Sequence, residues 1–103
     1  MTDQPDAIIH QPLRLRIVAA LKGLPRGERL EFVRLRAVVN ATEGNLGAHL
    51  GTLEDAGYIR IEKDFNGKKP RTRVSLTEAG IRAYREYVNY LREIVDAAEE
   101  PSP

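Results

Sequence analysis

Apolar residues recur at helical spacing in three early stretches of the chain and in one long late stretch, and between them the period drops to two. Leu13, Ile17, Leu21 and Leu24 step along one face of a helix, with Val18 and Ala20 widening the stripe. Pro12 suits the first position of that helix, where its missing N–H costs nothing, and Pro25 with Gly27 predicts the end. Leu30 opens a short extended piece. Phe32, Leu35, Val38 and Val39 then predict a second, two-turn helix, followed by a tight turn at Asn40-Ala41. Thr42 offers a hydroxyl N-cap to a third helix with the stripe Leu46, Leu50 and Leu53, and Gly57 closes it as a left-handed cap residue.

After Gly57 the period changes. Ile59 and Ile61 alternate with Arg60 and Glu62, and Thr72, Val74 and Leu76 alternate with Arg71, Arg73 and Ser75. The intervening Asp64-Phe65-Asn66-Gly67-Lys68-Lys69-Pro70 carries an Asn-Gly turn signal, which predicts a β-hairpin with a long basic tip. Thr77 can cap a last helix reaching about Ala98, whose apolar residues Tyr84, Val88, Leu91 and Val95 step by four, three and four. Tyr87, Tyr90 and Ile94 add a second apolar flank. The expected fold is mainly α with a small β-hairpin (α+β), in one domain over 1–103. The core runs from about 12 to 80, the last helix covers 77–98, and residues 1–8 and 99–103 are expected to fray.

A chain of 103 residues has room for one core, and 42% hydrophobic with 30% charged residues is an ordinary globular balance. There is no cysteine, so disulfides, thiolate zinc sites and cysteine nucleophiles are excluded. The longest apolar run, Ile17 to Leu21, is too short to cross a bilayer, and no charged-then-apolar leader opens the chain. The expectation is a cytoplasmic protein with no membrane partner. The net charge of +1 hides an uneven distribution: +3 over 1–37, −3 over 38–57, +4 over 58–73 and −3 beyond. The dense basic patch therefore falls on the hairpin.

His10 and His49 are the only histidines, and no pair of carboxylates joins them at metal spacing, so neither a metal nor another cofactor is expected. Glu54-Asp55 and Glu99-Glu100 read as solvated helix faces. Gly44, Gly47 and Gly51 do not follow a strand and fail the dinucleotide fingerprint. No nucleophile-and-base arrangement is visible, and no enzyme activity is expected.

Two short helices joined by a tight turn and followed by a basic hairpin make a helix-turn-helix with a wing. The stretch from Pro12 to Gly80 resembles the small winged-helix transcriptional regulators of the MarR and ArsR type, in their single-domain branch. The resemblance rests on Pro12-Leu13-Arg14-Leu15-Arg16-Ile17, Thr42-Glu43-Gly44-Asn45-Leu46, Ala48-His49-Leu50 and Leu53-Glu54-Asp55-Ala56-Gly57-Tyr58. Gly67-Lys68-Lys69-Pro70-Arg71-Thr72 and Leu76-Thr77-Glu78-Ala79-Gly80 complete it. It implies a dimeric, sequence-specific regulator of double-stranded DNA, with the third helix in the major groove and the wing on phosphates or in the minor groove. It also implies that the long last helix mediates dimerisation, and that Lys68, Lys69, Arg71 and Arg73 meet phosphates.

The third helix departs from that pattern, because it carries no Lys or Arg. At 100° per residue its leucines point inward, Gly44, Ala48, Gly51, Thr52 and Asp55 point outward, and Asn45 sits on the shoulder. Asn45 can pair with adenine, Thr52 can touch a thymine methyl or a phosphate, and Glu43 can accept from a cytosine amino group. Glu43 also serves as a favourable charge at a helix start, beside the Thr42 cap. His49 lies at the edge of the core, between a packing role and a base contact. Along the last helix Tyr84, Tyr87, Val88, Tyr90, Leu91, Ile94 and Val95 span more than one face, which predicts a homodimer interface; the alternative is a long helix folded back on its own core. Two other functions stand beside the leading one. One is a protein-interaction module without DNA binding. The other is a ligand-gated repressor with a small-molecule effector between the last helix and the DNA-binding core.

Overall fold

A computed structural model describes residues 4–99. Its elements are α1 (Pro12–Lys22), β1 (Leu30–Glu31), α2 (Phe32–Val39), α3 (Glu43–Asp55), β2 (Ile59–Asn66), β3 (Lys69–Leu76) and α4 (Glu78–Glu99). Three antiparallel strands pair in the order β1-β3-β2, and the long β2–β3 hairpin is the wing. No helix among the described residues is long and apolar enough to cross a membrane.

Local chemistry sets most boundaries. Gln11 caps α1 by accepting from the Arg14 N–H at 2.8 Å, and Pro12 follows as the first helical residue. The helix stops at Gly23, earlier than Pro25 and Gly27 suggest. Asn40 turns the chain after α2 in the left-handed region at φ 53°, and Thr42 Oγ1 accepts from the Asn45 N–H at 3.1 Å to start α3. At the end of α3, Gly57 at φ 80° lets its own N–H reach Glu54 O and the Tyr58 N–H reach Leu53 O, a Schellman motif. Thr77 caps α4 by accepting from the Gly80 N–H at 3.0 Å.

Leu13, Ile17, Val18 and Leu21 of α1 pack with Leu35, Val39, Leu46, Leu50, Leu53, Ile59 and Val74 in the main core. Val38, expected in that stripe, is 58% exposed, because an eight-residue helix has room to bury only the Leu35–Val39 edge. The expectation of fraying over residues 1–8 is also corrected where the chain is described. Asp6 Oδ1 accepts from the N–H groups of Ile8 and Ile9, and Ile9 is fully buried against Ala83 and Tyr87 of α4. Residues 1–3 and 100–103 lie outside the described residues.

The wing is corrected in the same way. Pairing continues from Ile59↔Leu76 to Asn66↔Lys69, which leaves a two-residue turn, Gly67-Lys68, where a long loop was expected. Gly67 has φ 67° and Lys68 is not in the positive region, the pattern of a type II′ turn with glycine first.

Candidate nucleic-acid interface

On α3 the buried leucines leave one face for a partner. Leu46, Leu50 and Leu53 are at most 2% exposed, whereas Glu43, Gly44, Asn45 and Ala48 are exposed. Gly51 and Thr52 are half-buried, and the Thr52 hydroxyl donates to Ala48 O at 3.4 Å, so its methyl is the freer end. A Cβ built on Gly44, Gly47 or Gly51 would meet nothing within 4 Å, so packing within the chain gives no reason for these glycines. The Thr42-capped N-terminus carries the positive end of the helix dipole.

His49 is half-buried beside α1. Arg14 Nη1 lies 3.0 Å from His49 Nδ1, and Arg14 Nε donates to Ile8 O at 2.5 Å. A guanidinium can only donate, so Nδ1 accepts and the ring proton sits on Nε2. Arg14 thereby ties the N-terminal segment and α1 to the edge of α3. This role was not legible from local spacing, because the partner lies 35 residues away.

On the wing the structure separates the cations into two groups. Asp64 accepts from Arg71 Nε and Nη2, both at 2.9 Å, and from Arg73 Nη2 at 2.8 Å. The Arg71 hydrogen bonds, with the charges of both arginines, pull the Asp64 carboxyl down to about 2 against the opposing effect of its desolvation. Arg71 is raised in turn, chiefly by its hydrogen bond to Asp64. The two arginine side chains are only 25% and 19% exposed. Strand register puts both on one face with Asp64: Arg71 directly opposite, Arg73 on the diagonal. Lys68 and Lys69 are exposed and have no ion-pair partner among the described residues. Arg60 and Lys63 share that condition. The sequence placed them in the basic patch without assigning them a contact.

The residues expected at a dimer interface divide along α4. Tyr87 is 5% exposed and packs inside the chain against Ile9, with its hydroxyl 2.8 Å from His10 Nδ1. Burial and the neighbouring Tyr90 raise its hydroxyl above the ordinary tyrosine value. Tyr84 is half-buried on the main core, and Tyr90 and Leu91 flank the Ile9 cluster. Val88 is half-buried, while Ile94 and Val95 are each 51% exposed. The free apolar surface is thus the distal half of the helix.

A helix-turn-helix with an uncovered outer face, set beside a hairpin that carries free cations, defines a winged-helix DNA-binding protein of the transcriptional-regulator kind. The chain belongs to the winged helix DNA-binding domain family, whose sequence model matches residues 13–95. An uncharacterised protein of Methanocaldococcus jannaschii is 33% identical over 81 residues, 79% of this chain and 85% of that protein. The solved structure of a transcriptional regulator homologue from Pyrococcus horikoshii OT3 is 30% identical, with a TM-score of 0.80 over 90% of this chain and 89% of that one. MarR-family and ArsR-family regulators share the fold. The MarR-family member, from Silicibacter pomeroyi, has a TM-score of 0.68 at 23% identity, covering 94% of this chain and 63% of its own.

Proposed function

We propose that this chain acts as a homodimer that binds a specific double-stranded DNA sequence and regulates transcription, with no catalytic step and no cofactor. The observation that carries the reading is the juxtaposition of the uncovered α3 face with the unpaired wing lysines. In this reading α3 enters the major groove, where its small side chains permit close approach. Asn45 pairs with a base, Thr42 and Glu43 lie at the helix start, and Ala48 and the Thr52 methyl offer apolar contact. His49 presents Nε2–H at the rim. Lys68 and Lys69 neutralise phosphates, while Arg71 and Arg73 stiffen the wing through Asp64. Ile94 and Val95, continuing Leu91 and Tyr90, form the dimer seam. A regulator of this kind works where the DNA is, so the cytoplasm is its proposed location.

A cleft of about 570 Å³ between the N-terminal segment and α4, lined by Asp6, Glu86, Tyr87, Asn89, Tyr90 and Glu93 among others, favours a ligand-gated form of the same reading. Selection of bound duplexes from random DNA tests the proposal. One enriched palindromic motif is expected, and Asn45→Ala should relax one base pair per half-site at a cost of about 1–3 kcal/mol on the preferred sequence. Recovery of no motif, with no binding at low salt, would instead favour a protein-interaction module.

A further inference from the structure

Phe65 is 68% exposed, one residue before the end of β2 and close to the tip of the wing. The chain has only two phenylalanines, and the other, Phe32, packs against the main core. Strand alternation puts Phe65 on the same face as Ile59 and Ile61, but four residues beyond Ile61, roughly 13 Å past the last buried pair. Pro70 lies opposite it in register and Lys63↔Thr72 is the next pair on that face. Lys63 thus shares the face of Phe65, Lys68 sits in the turn and Lys69 stands on the opposite face beside it, so three cations without an ion-pair partner among the described residues lie along the strands and turn next to the apolar pair. The surroundings match a polyanion with an apolar interior, and they do not match an apolar protein surface.

We propose that Phe65, backed by Pro70, is an apolar wedge that enters the DNA minor groove and partly unstacks one base step. The inference rests on the DNA-binding reading above and adds a second source of sequence choice to it. Pyrimidine–purine steps unstack most easily, so the wedge makes the site's deformability part of what is recognised. That fits an α3 face with few side chains able to read bases. The opposite face of the wing supplies the rigidity a wedge needs. The Asp64–Arg71–Arg73 cluster braces the ladder directly behind Phe65, so little order is lost on insertion.

The test uses the full chain, with Phe65→Ser and Phe65→Leu, in parallel selections from random duplex DNA. The wild type and Phe65→Leu should enrich a TA or CA/TG step at a fixed distance from the motif read by α3, and Phe65→Ser should lose that step while keeping the motif. With 2-aminopurine placed at the step, wild-type binding should raise the fluorescence, and Phe65→Ser should leave it near that of the free duplex. Affinity of Phe65→Ser for the wild-type sequence should fall by about tenfold or more, with the slope of log affinity against log salt unchanged, because no phosphate contact is removed. Thermal unfolding of Phe65→Ser at the wild-type temperature confirms an intact fold. An α3 motif with no step preference and no fluorescence change overturns the wedge and leaves the DNA-binding reading standing. Absence of any salt-dependent DNA binding by the wild type overturns both.

Discussion

A Cβ built on Gly80 would lie 2.1 Å from the carbonyl oxygen of Tyr58, so α4 can begin against the start of the wing only with glycine there. That carbonyl already accepts from the Thr77 N–H at 3.1 Å and cannot withdraw without breaking the junction. Gly80→Ala should therefore destabilise the fold by about 3 kcal/mol. Gly47 is the opposite case: its surroundings are open, and Gly47→Ala should stabilise by about 1 kcal/mol through helix propensity alone. Urea unfolding of the two variants checks both signs, and a destabilised Gly47→Ala would mean that the α3 face is covered within the chain. Asp64 gives a pH signature. Its carboxyl falls from the ordinary 3.8 to about 2 in the folded protein, so its contribution is present above 3.8 and is lost as pH falls toward 2. The stability difference between wild type and Asp64→Asn should accordingly be constant above that range and close within it. Single residues of this sort divide by legibility. Thr42, Gly57 and Thr77 were readable because caps act within a few residues of themselves. The Gly80 constraint and the Asp64 pairing were not, because each depends on how two strands or an element pair come together.

Elements were legible where their signals are local. The helical stripes, the Asn40-Ala41 turn and the hairpin all appear close to where the spacing put them. The N-terminal segment had no periodicity to announce it. Its order comes from two distant places: from α4, more than 70 residues later, through Ile9 on Tyr87, and from the junction of α3 with β2 through the Tyr58 hydroxyl, which donates to Asp6 at 2.5 Å. Burial and the Asp6 carboxylate push that hydroxyl up to about 12. Because the neutral form is the one favoured, this contribution holds below pH 10 and is lost as pH rises through about 12. The segment is thus a staple between α1, the wing and α4. Ile9→Ala should cost about 2–4 kcal/mol, a core-sized loss from a position outside every helix and strand. A loss below about 0.5 kcal/mol in a thermal melt would show that the staple does not form in solution.

At the scale of the whole molecule, α4 is divided between two jobs. Its first half closes the domain through Gly80, Ala83 and Tyr87, and its second half leaves Ile94 and Val95 uncovered. The sequence showed two apolar flanks but could not tell which flank the chain keeps for itself, since that depends on the N-terminal segment. The double substitution Ile94→Asp, Val95→Asp should convert a dimer into a folded monomer by sedimentation, because neither side chain supports the domain core. The charge pattern is likewise a property of the whole. Sixteen basic and fifteen acidic residues nearly cancel, yet internal pairing of Arg71, Arg73 and Arg29 leaves the wing's free charge on Lys63, Lys68, Lys69 and Arg60. The sequence located the basic patch correctly and could not say which cations the fold itself would neutralise.

Whether α3 and the lysine-tipped wing hold DNA together is read from DNA affinity over a salt series for the wild type and the Lys68→Ala, Lys69→Ala double variant. Each lost phosphate contact should flatten the plot of log affinity against log salt by about one unit, so the double variant should lose about two units per subunit on every sequence. An unchanged slope, with the fold intact, would place the wing away from DNA.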